Sequence, residues 1–194
     1  ISGEYYKNYN VSKLIRRSNG IDLYYGDKSE FFSYDKVVLA SHADQALSII
    51  DEPTQEEQEI LSTFKYRENI AVIHTDESIM PNNKDIWSSW NSSVDKNNIE
   101  KNSITYWLNL LQNLDFDKNI FLTLNPNFKI NEDKILKKVN FAHPYFDQSA
   151  LDNQDKLKNL QNKKNLLFCG SYFGYGFHED GIKSSIEMIK AIDD

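Results

Sequence analysis

One cysteine, Cys169, is all the thiol chemistry in these 194 residues. A lone cysteine excludes a disulfide framework within the chain and suits a reducing compartment, so a cytoplasmic location is expected. Apolar runs are short as well. None approaches the roughly 20 residues a membrane-spanning helix needs, and no transmembrane segment is predicted. No charged segment followed by an apolar stretch opens the chain, so no secretory leader is read. Basic charge is scarce: 22 Lys and Arg stand against 29 Asp and Glu, a net charge of −7. A general nucleic-acid binder needs a basic face, and that class is excluded as the expectation. The four histidines are scattered, with no pair at i and i+4 and no second cysteine, so no metal site is predicted. Gly-x-Ser-x-Gly is also missing, which leaves Ser41 and His42 without the nucleophile elbow of a hydrolase. The chain starts at Ile1 in polar, turn-like residues and is expected to be a piece of a longer protein.

What is present reads as mixed α and β structure, enough for one compact domain or one domain with an insertion. Val11 to Arg17, Ile21 to Tyr25 and Phe31 to Ser33 are short extended runs, broken by Ser18-Asn19-Gly20 and by Gly26-Asp27. An Asn-Gly step between two such runs is a hairpin signal, so an antiparallel meander is predicted. Lys36 to Ala40 has the compact apolar pattern of a buried strand. His42 to Ile50 turns to helical spacing. Thr54 to Leu61 follows Pro53, with Thr54 and Glu57 placed as a capping box. Strands are predicted over Glu68 to Thr75, Ile86 to Val94, Ile120 to Leu124, Val139 to His143 and Leu166 to Cys169. Ile104 to Leu114 fits helix or strand by its spacing, and the preferred reading is a strand that runs into a turn. Ser149 to Leu160 is predicted as an amphipathic helix, and Ile182 to Ile192 as the last helix. The organisation expected is a meander and βα unit over 1–53, a mixed region over 54–164, and a strand–loop–helix return over 165–194.

The return carries the most information. Leu166 to Cys169 ends in Gly170, a loop with further glycines and aromatics follows, and Glu179-Asp180 opens a helix. A strand, a glycine-rich loop and a helix N-terminus together bring bare backbone N–H groups within reach of a ligand. The plain alternative is an ordinary turn with Asp180 as the helix cap. Tyr175 and Phe177 either line a pocket there or pack the helix onto the sheet. His178 and Glu179 are the titratable candidates, with His178 read first as part of a first-turn network. His74 and Asp76 lie at another strand end, with Trp87, Trp90 and Asn91 in the next segment. These either wall a cavity or belong to the core, and core is favoured for Trp90 and Trp107.

Several blocks carry a resemblance. They are Lys36-Val37-Val38-Leu39-Ala40-Ser41-His42-Ala43-Asp44-Gln45-Ala46-Leu47, Ala71-Val72-Ile73-His74-Thr75-Asp76 with Met80-Pro81, Trp87-Ser88-Ser89-Trp90-Asn91, Thr105-Tyr106-Trp107-Leu108-Asn109, Thr123-Leu124-Asn125-Pro126, and Phe168-Cys169-Gly170 through Asp180-Gly181. In this order they resemble the C-terminal half of a bacterial family of NAD/FAD-binding oxidoreductases in the flavin-containing amine oxidase superfamily. The family opens with a βαβ unit carrying Gly-x-Gly-x-x-Gly, which grips the FAD pyrophosphate. Nothing in this sequence matches that unit.

The resemblance implies an α/β (α+β) fold: a mixed β-sheet substrate domain with the C-terminal portion of an FAD-binding Rossmann-like domain, the N-terminal βαβ unit absent. It implies FAD as cofactor and hydride transfer from a small-molecule substrate to flavin. Gly170, Ser171, Tyr175, Gly176, His178, Asp180, Gly181 and Ile182 then become cofactor-side candidates, with Asp180-Gly181-Ile182 opening the helix toward the flavin ring. His74, Trp87, Tyr175 and Phe177 become substrate-side candidates, and their aromatic character favours something bulky and apolar. Related flavoproteins often carry an acid after the strand-end glycine, whereas this chain has Ser171. Cys169 is expected to be a buried apolar residue, not a covalent flavin link. A different class also fits the sequence: a non-catalytic binding module that associates with its own copies through an exposed flank and does not hold FAD.

Overall fold

The turn between the first two apolar runs is as tight as its sequence suggests. In the computed structural model, which describes residues 3–26, 30–95 and 98–193, β1 (Val11–Arg17) and β2 (Gly20–Tyr25) pair antiparallel, Arg17 opposite Gly20. Only Ser18 and Asn19 connect them. β3 (Phe31–Tyr34) adds to the other edge of β2. Asp27, read as part of the break between β2 and β3, lies outside the described residues.

The chain divides into two compact units, Ile1–Tyr66 with Pro144–Asp194, and Arg67–His143. In the first, β4 (Val37–Leu39) pairs in parallel with β10 (Leu166–Phe168), Leu166 opposite Val37 and Phe168 opposite Leu39. Parallel strands need both faces covered. One face is covered by a core that includes Leu14, Ile21, Ala46, Leu61, Leu157 and Tyr172. The other receives α5 (His178–Asp193), whose Met188, with Ala191 and Ile192, packs on Leu167 and Cys169. Cys169 is buried, as expected of a small apolar side chain.

α1 (Ala43–Ile49) buries Ala43 and Ala46. α2 (Gln55–Leu61) starts at the capping box read from sequence: Glu57 N–H donates to Thr54 Oγ1 at 3.2 Å, and Thr54 N–H to Glu57 Oε2 at 2.8 Å. Glu57 is buried and also pairs with the Arg16 guanidinium. The predicted helix over Ser149 to Leu160 is realised as two pieces, α4 (Gln148–Gln154) and a 3-10 segment over Asp155–Leu160. The tighter winding, about three residues per turn, brings Leu157 and Leu160 to one buried face.

The second unit holds a five-stranded sheet in the order β6-β7-β8-β5-β9. β5 is Lys65–His74, β6 Trp90–Asp95, β7 Asn98–Trp107, β8 Phe121–Leu124 and β9 Ile135–Tyr145. β6, β7, β8 and β5 pair antiparallel in sequence across the sheet. β7 runs into a single helical turn, α3 (Leu108–Leu111), which settles the ambiguous stretch as a strand entering a turn. The strand predicted over Ile86 to Val94 begins later. Residues Lys84–Ile86 form a 3-10 turn instead, because Asn83 Oδ1 accepts from Asp85 N–H and Lys84 O from Trp87 N–H. Trp90 is 62% exposed and not a core residue. It lies across the sheet from Tyr106, and their ring centroids are 4.9 Å apart. Among the described residues no helix is long and apolar enough to cross a membrane.

Candidate functional site

In open α/β sheets, ligands bind beyond the carboxyl ends of the parallel strands. Here that place is bounded by Ala40-Ser41-His42 after β4 and by Gly170-Ser171 after β10. The two strand ends stay together past the sheet, with Cys169 N–H donating to Leu39 O at 3.1 Å. His42 stacks on Tyr66, ring centroids 4.1 Å apart, and Ala43 N–H donates to the Tyr66 hydroxyl at 2.9 Å. Burial pushes the Tyr66 phenol up to about 12, the Ala43 donor opposing it in part.

The glycine-rich loop is tied down at three points. Gly170 N–H donates to Ser184 Oγ at 2.9 Å, and that hydroxyl donates to Gly181 O at 2.8 Å, so the strand end is fastened to the first turns of α5. Gln154 Nε2 donates to Tyr172 O at 3.1 Å and to Gly174 O at 2.5 Å. The Asp180 carboxylate accepts from Tyr175 N–H at 3.0 Å and Phe177 N–H at 2.9 Å. Gly174 makes room for that carboxylate, since a Cβ on Gly174 would meet Asp180 Oδ1 at 2.4 Å. Gly176 sits at φ 93° with Pro144 directly behind it, a Cβ there meeting Pro144 Cγ at 3.0 Å.

Asp180 therefore acts from inside the helix, not as its cap. α5 begins at His178, one turn earlier than the helix read from sequence. The carboxylate at the third helical position reaches back to the cap residue's amide, as in a capping box, and this fixes the extra turn. Gly181 N–H is consequently spent on Phe177 O at 3.3 Å. The expectation that Asp180-Gly181-Ile182 opens the helix is corrected: within α5, the amides with no acceptor among the described residues are those of His178 and Glu179. These are the first amides of the helix, where such orphans belong.

The remaining candidates of the 165–194 segment lie on this loop or beside it. Tyr175 and Phe177 are exposed on it, and Ile182 faces outward from α5. Gly181 lies beside Ser171: a Cβ on Gly181 would meet Ser171 N at 3.8 Å and nothing nearer. Along the inner side of α5 a cleft of about 460 Å³ is lined by Phe173, Asp180, Ser184 and Met188, with Gln154 and Gln161 opposite. Gln161 closes the edge of β10 with both ends of its amide, donating to Phe168 O at 2.8 Å and accepting from Phe168 N–H at 3.0 Å. Sequence reading missed Ser184, Gln154 and Gln161. Ser184 carried a faint signal, being three residues past a loop glycine on the helix face that meets the strand. The glutamines carried none.

His74 and Trp87 belong to the second unit, where both are buried and packed against Phe121. The Trp87 indole N–H donates to Pro81 O at 2.7 Å. His74 Nδ1 accepts from Asp76 N–H at 3.1 Å, so Nε2 carries the proton toward Thr123 Oγ1 at 2.8 Å, and Thr123 meets Thr105 Oγ1 at 2.9 Å. Burial lowers the His74 imidazole, opposed by the Asp76 charge. Burial alone would raise the Asp76 carboxyl, but donors from Asn131 N–H, Ser78 and Lys134 outweigh it and hold the group below the usual carboxylate range.

The architecture is mixed α/β, with two antiparallel sheets and one parallel strand pair, and it matches part of several solved enzyme structures. A CLA-producing fatty acid isomerase from P. acnes is similar with a TM-score of 0.63 at 15% identity, over 94% of this chain and 47% of that one. Cyclohexylamine oxidase from Brevibacterium oxydans gives 0.59 at 9% identity, over 96% and 49%. Putrescine oxidase bound to putrescine gives 0.58 at 10% identity, over 96% and 48%. At these identities the likeness is one of fold. The chain spans about half the length of each of these structures. No protein-family model and no curated protein matches the sequence.

Proposed function

We propose that this chain forms the flavin-ring edge and substrate side of an FAD-dependent oxidoreductase of the amine oxidase type. The observation that carries the reading is the pair of unsatisfied amides, His178 and Glu179, at the head of a 16-residue helix placed beyond the end of β10. Support also comes from the fold neighbours, which include two amine oxidases.

The residues fit the edge of such a cofactor. A Cβ on Gly181 would meet only Ser171 N, at 3.8 Å, so space stays open beside the first turn of α5. When bound, FAD supplies a hydride acceptor that gathers negative charge on its pyrimidine side. The His178 and Glu179 amides would hold that charge, the helix end adding about 0.3–1 kcal/mol per interaction. Gly170 and Ser171 would face the ribityl side, the Ser171 hydroxyl standing where related proteins place an acid. The Asp180 carboxylate, turned onto Tyr175 and Phe177 N–H, would hold the loop and leave cofactor contact to the backbone. Tyr175 and Phe177 would meet an apolar, bulky substrate. Affinity for FAD is expected to be weak, because the sequence lacks the Gly-x-Gly-x-x-Gly grip on the pyrophosphate.

Titration with FAD, followed by flavin absorbance near about 450 nm and by fluorescence quenching, tests this. Saturable one-to-one binding is expected. Gly181→Val should abolish it with the circular dichroism spectrum unchanged, since the added Cβ meets only Ser171 N at 3.8 Å. No spectral change, or undiminished binding by Gly181→Val, would remove the reading.

A further inference from the structure

The solvent side of α5 is less polar than an ordinary surface helix. Its buried side carries Ser184 and Met188. Directly opposite, Ile182, Ile186 and Ile189 remain 57%, 52% and 55% exposed. With about 100° per residue, the three isoleucines fall within about 60° of one another and form a continuous outward stripe. A surface helix normally presents charge there.

The stripe has a charged border on one side only. Glu179, Lys183, Glu187 and Lys190 follow one another along it, exposed and paired within the helix, Lys183 with Glu179 at 3.7 Å and Lys190 with Glu187 at 2.5 Å. Read in the opposite direction, this order of charges is its own complement. The other border carries Ser185 midway along.

We propose that α5 is the contact helix of a symmetric homodimer, laid antiparallel against α5 of a second copy. A two-fold axis perpendicular to two antiparallel helices sets each border against the same border of the partner. Ile182 then meets Ile189 of the other copy, Lys183 meets Glu187, Glu179 meets Lys190, and Ser185 lies near the axis beside its own equivalent. Apolar and charged matches fall in a single register. A parallel arrangement would set like charges at the same level and lacks this match. The isoleucines supply the adhesion and the charges supply orientation. The surface used is the outer side of α5, so dimerisation is compatible with the flavin-edge reading and does not depend on it.

Sedimentation velocity across a concentration series tests the pairing, and its readout is mass, independent of flavin. A monomer–dimer equilibrium is expected. Ile186→Glu should leave only monomer, and because Ile186 is already exposed, unchanged circular dichroism is expected alongside. Lys183→Glu and Glu187→Lys should each weaken the dimer by about threefold to tenfold, and the double variant K183E/E187K should restore it. Ser185→Cys should form a disulfide-linked dimer under mild oxidation, while buried Cys169 stays out of the reaction. Monomer at every concentration, a dimer indifferent to Ile186→Glu, or a double variant no better than the singles would overturn the proposal.

Discussion

Asp180 and Gly174 are two residues with one job. The carboxylate holds two loop amides and occupies the space a side chain at Gly174 would fill. Gly174→Ala should therefore destabilise the first unit by about 1–3 kcal/mol through overpacking. Asp180→Ala should cost about 0.5–2 kcal/mol, as the loss of a helix-end acceptor does. The double variant should cost less than the sum, because removing the carboxylate also removes the clash. Denaturant titration of the four proteins measures the coupling, and strict additivity would contradict the packing described. Sequence marked this loop as special, because its glycines interrupt a strand-to-helix return. It could not say which glycine yields to which side chain, since Gly174 and Asp180 meet only after the loop has folded back on itself. His74 shows the same limit: its place at a strand end was legible, but its burial against Phe121 and its bond to Thr123 depend on pairing with β8.

That pairing gives the second unit a pH dependence of definite sign. In the fold His74 is neutral, with its pKa lowered from 6.5 by burial. Below the unfolded value the unfolded chain takes up a proton that the folded chain refuses. Stability is thus fully present above about pH 6.5 and is lost as pH falls toward the depressed folded pKa. Denaturant midpoints at decreasing pH should fall for the native protein, and His74→Gln, though less stable at neutral pH, should flatten the trend between the two pKa values. Thr123→Val strands the His74 N–H and should cost about 1–3 kcal/mol at neutral pH.

At the scale of elements, local signals worked where the deciding contacts were local. The Thr54–Glu57 capping box lies within four residues, and it placed the start of α2 correctly. Thr54→Ala should cost about 0.5–2 kcal/mol, more toward the upper end because the Glu57 it holds is buried and paired with Arg16. Thermal melts monitored by circular dichroism would check this, and an unshifted midpoint would mean the cap contributes nothing. Boundaries failed where a distant partner decided them. The start of α5 moved because Asp180 reached back to Phe177. The 3-10 segment over Asp155–Leu160 took its tighter winding because Leu157 and Leu160 share one core face. Trp90 looked like core because tryptophans usually are. Its exposure follows from the strand's alternation and could be known only once the register with Tyr106 was fixed.

For the whole molecule, the first unit is discontinuous. Its parallel pair joins Val37 to Leu166, while the sheet of the second unit closes between strands much nearer in sequence. Closing a long loop costs more chain entropy and slows the contacts that depend on it. Refolding followed by pulsed hydrogen exchange should show amides of β7 and β8 protected before those linking β4 and β10. Simultaneous protection would argue that the two units fold as one.

The same topology bears on how the protein is made. A ribosome delivers β4 well before β10, so throughout synthesis of the segment from Ala40 to Asn165 the strand Val37–Leu39 waits without the neighbour that shields it. Premature termination anywhere in that interval releases a polypeptide with a sticky, unsealed flank, a natural substrate for holding chaperones and for quality-control proteases.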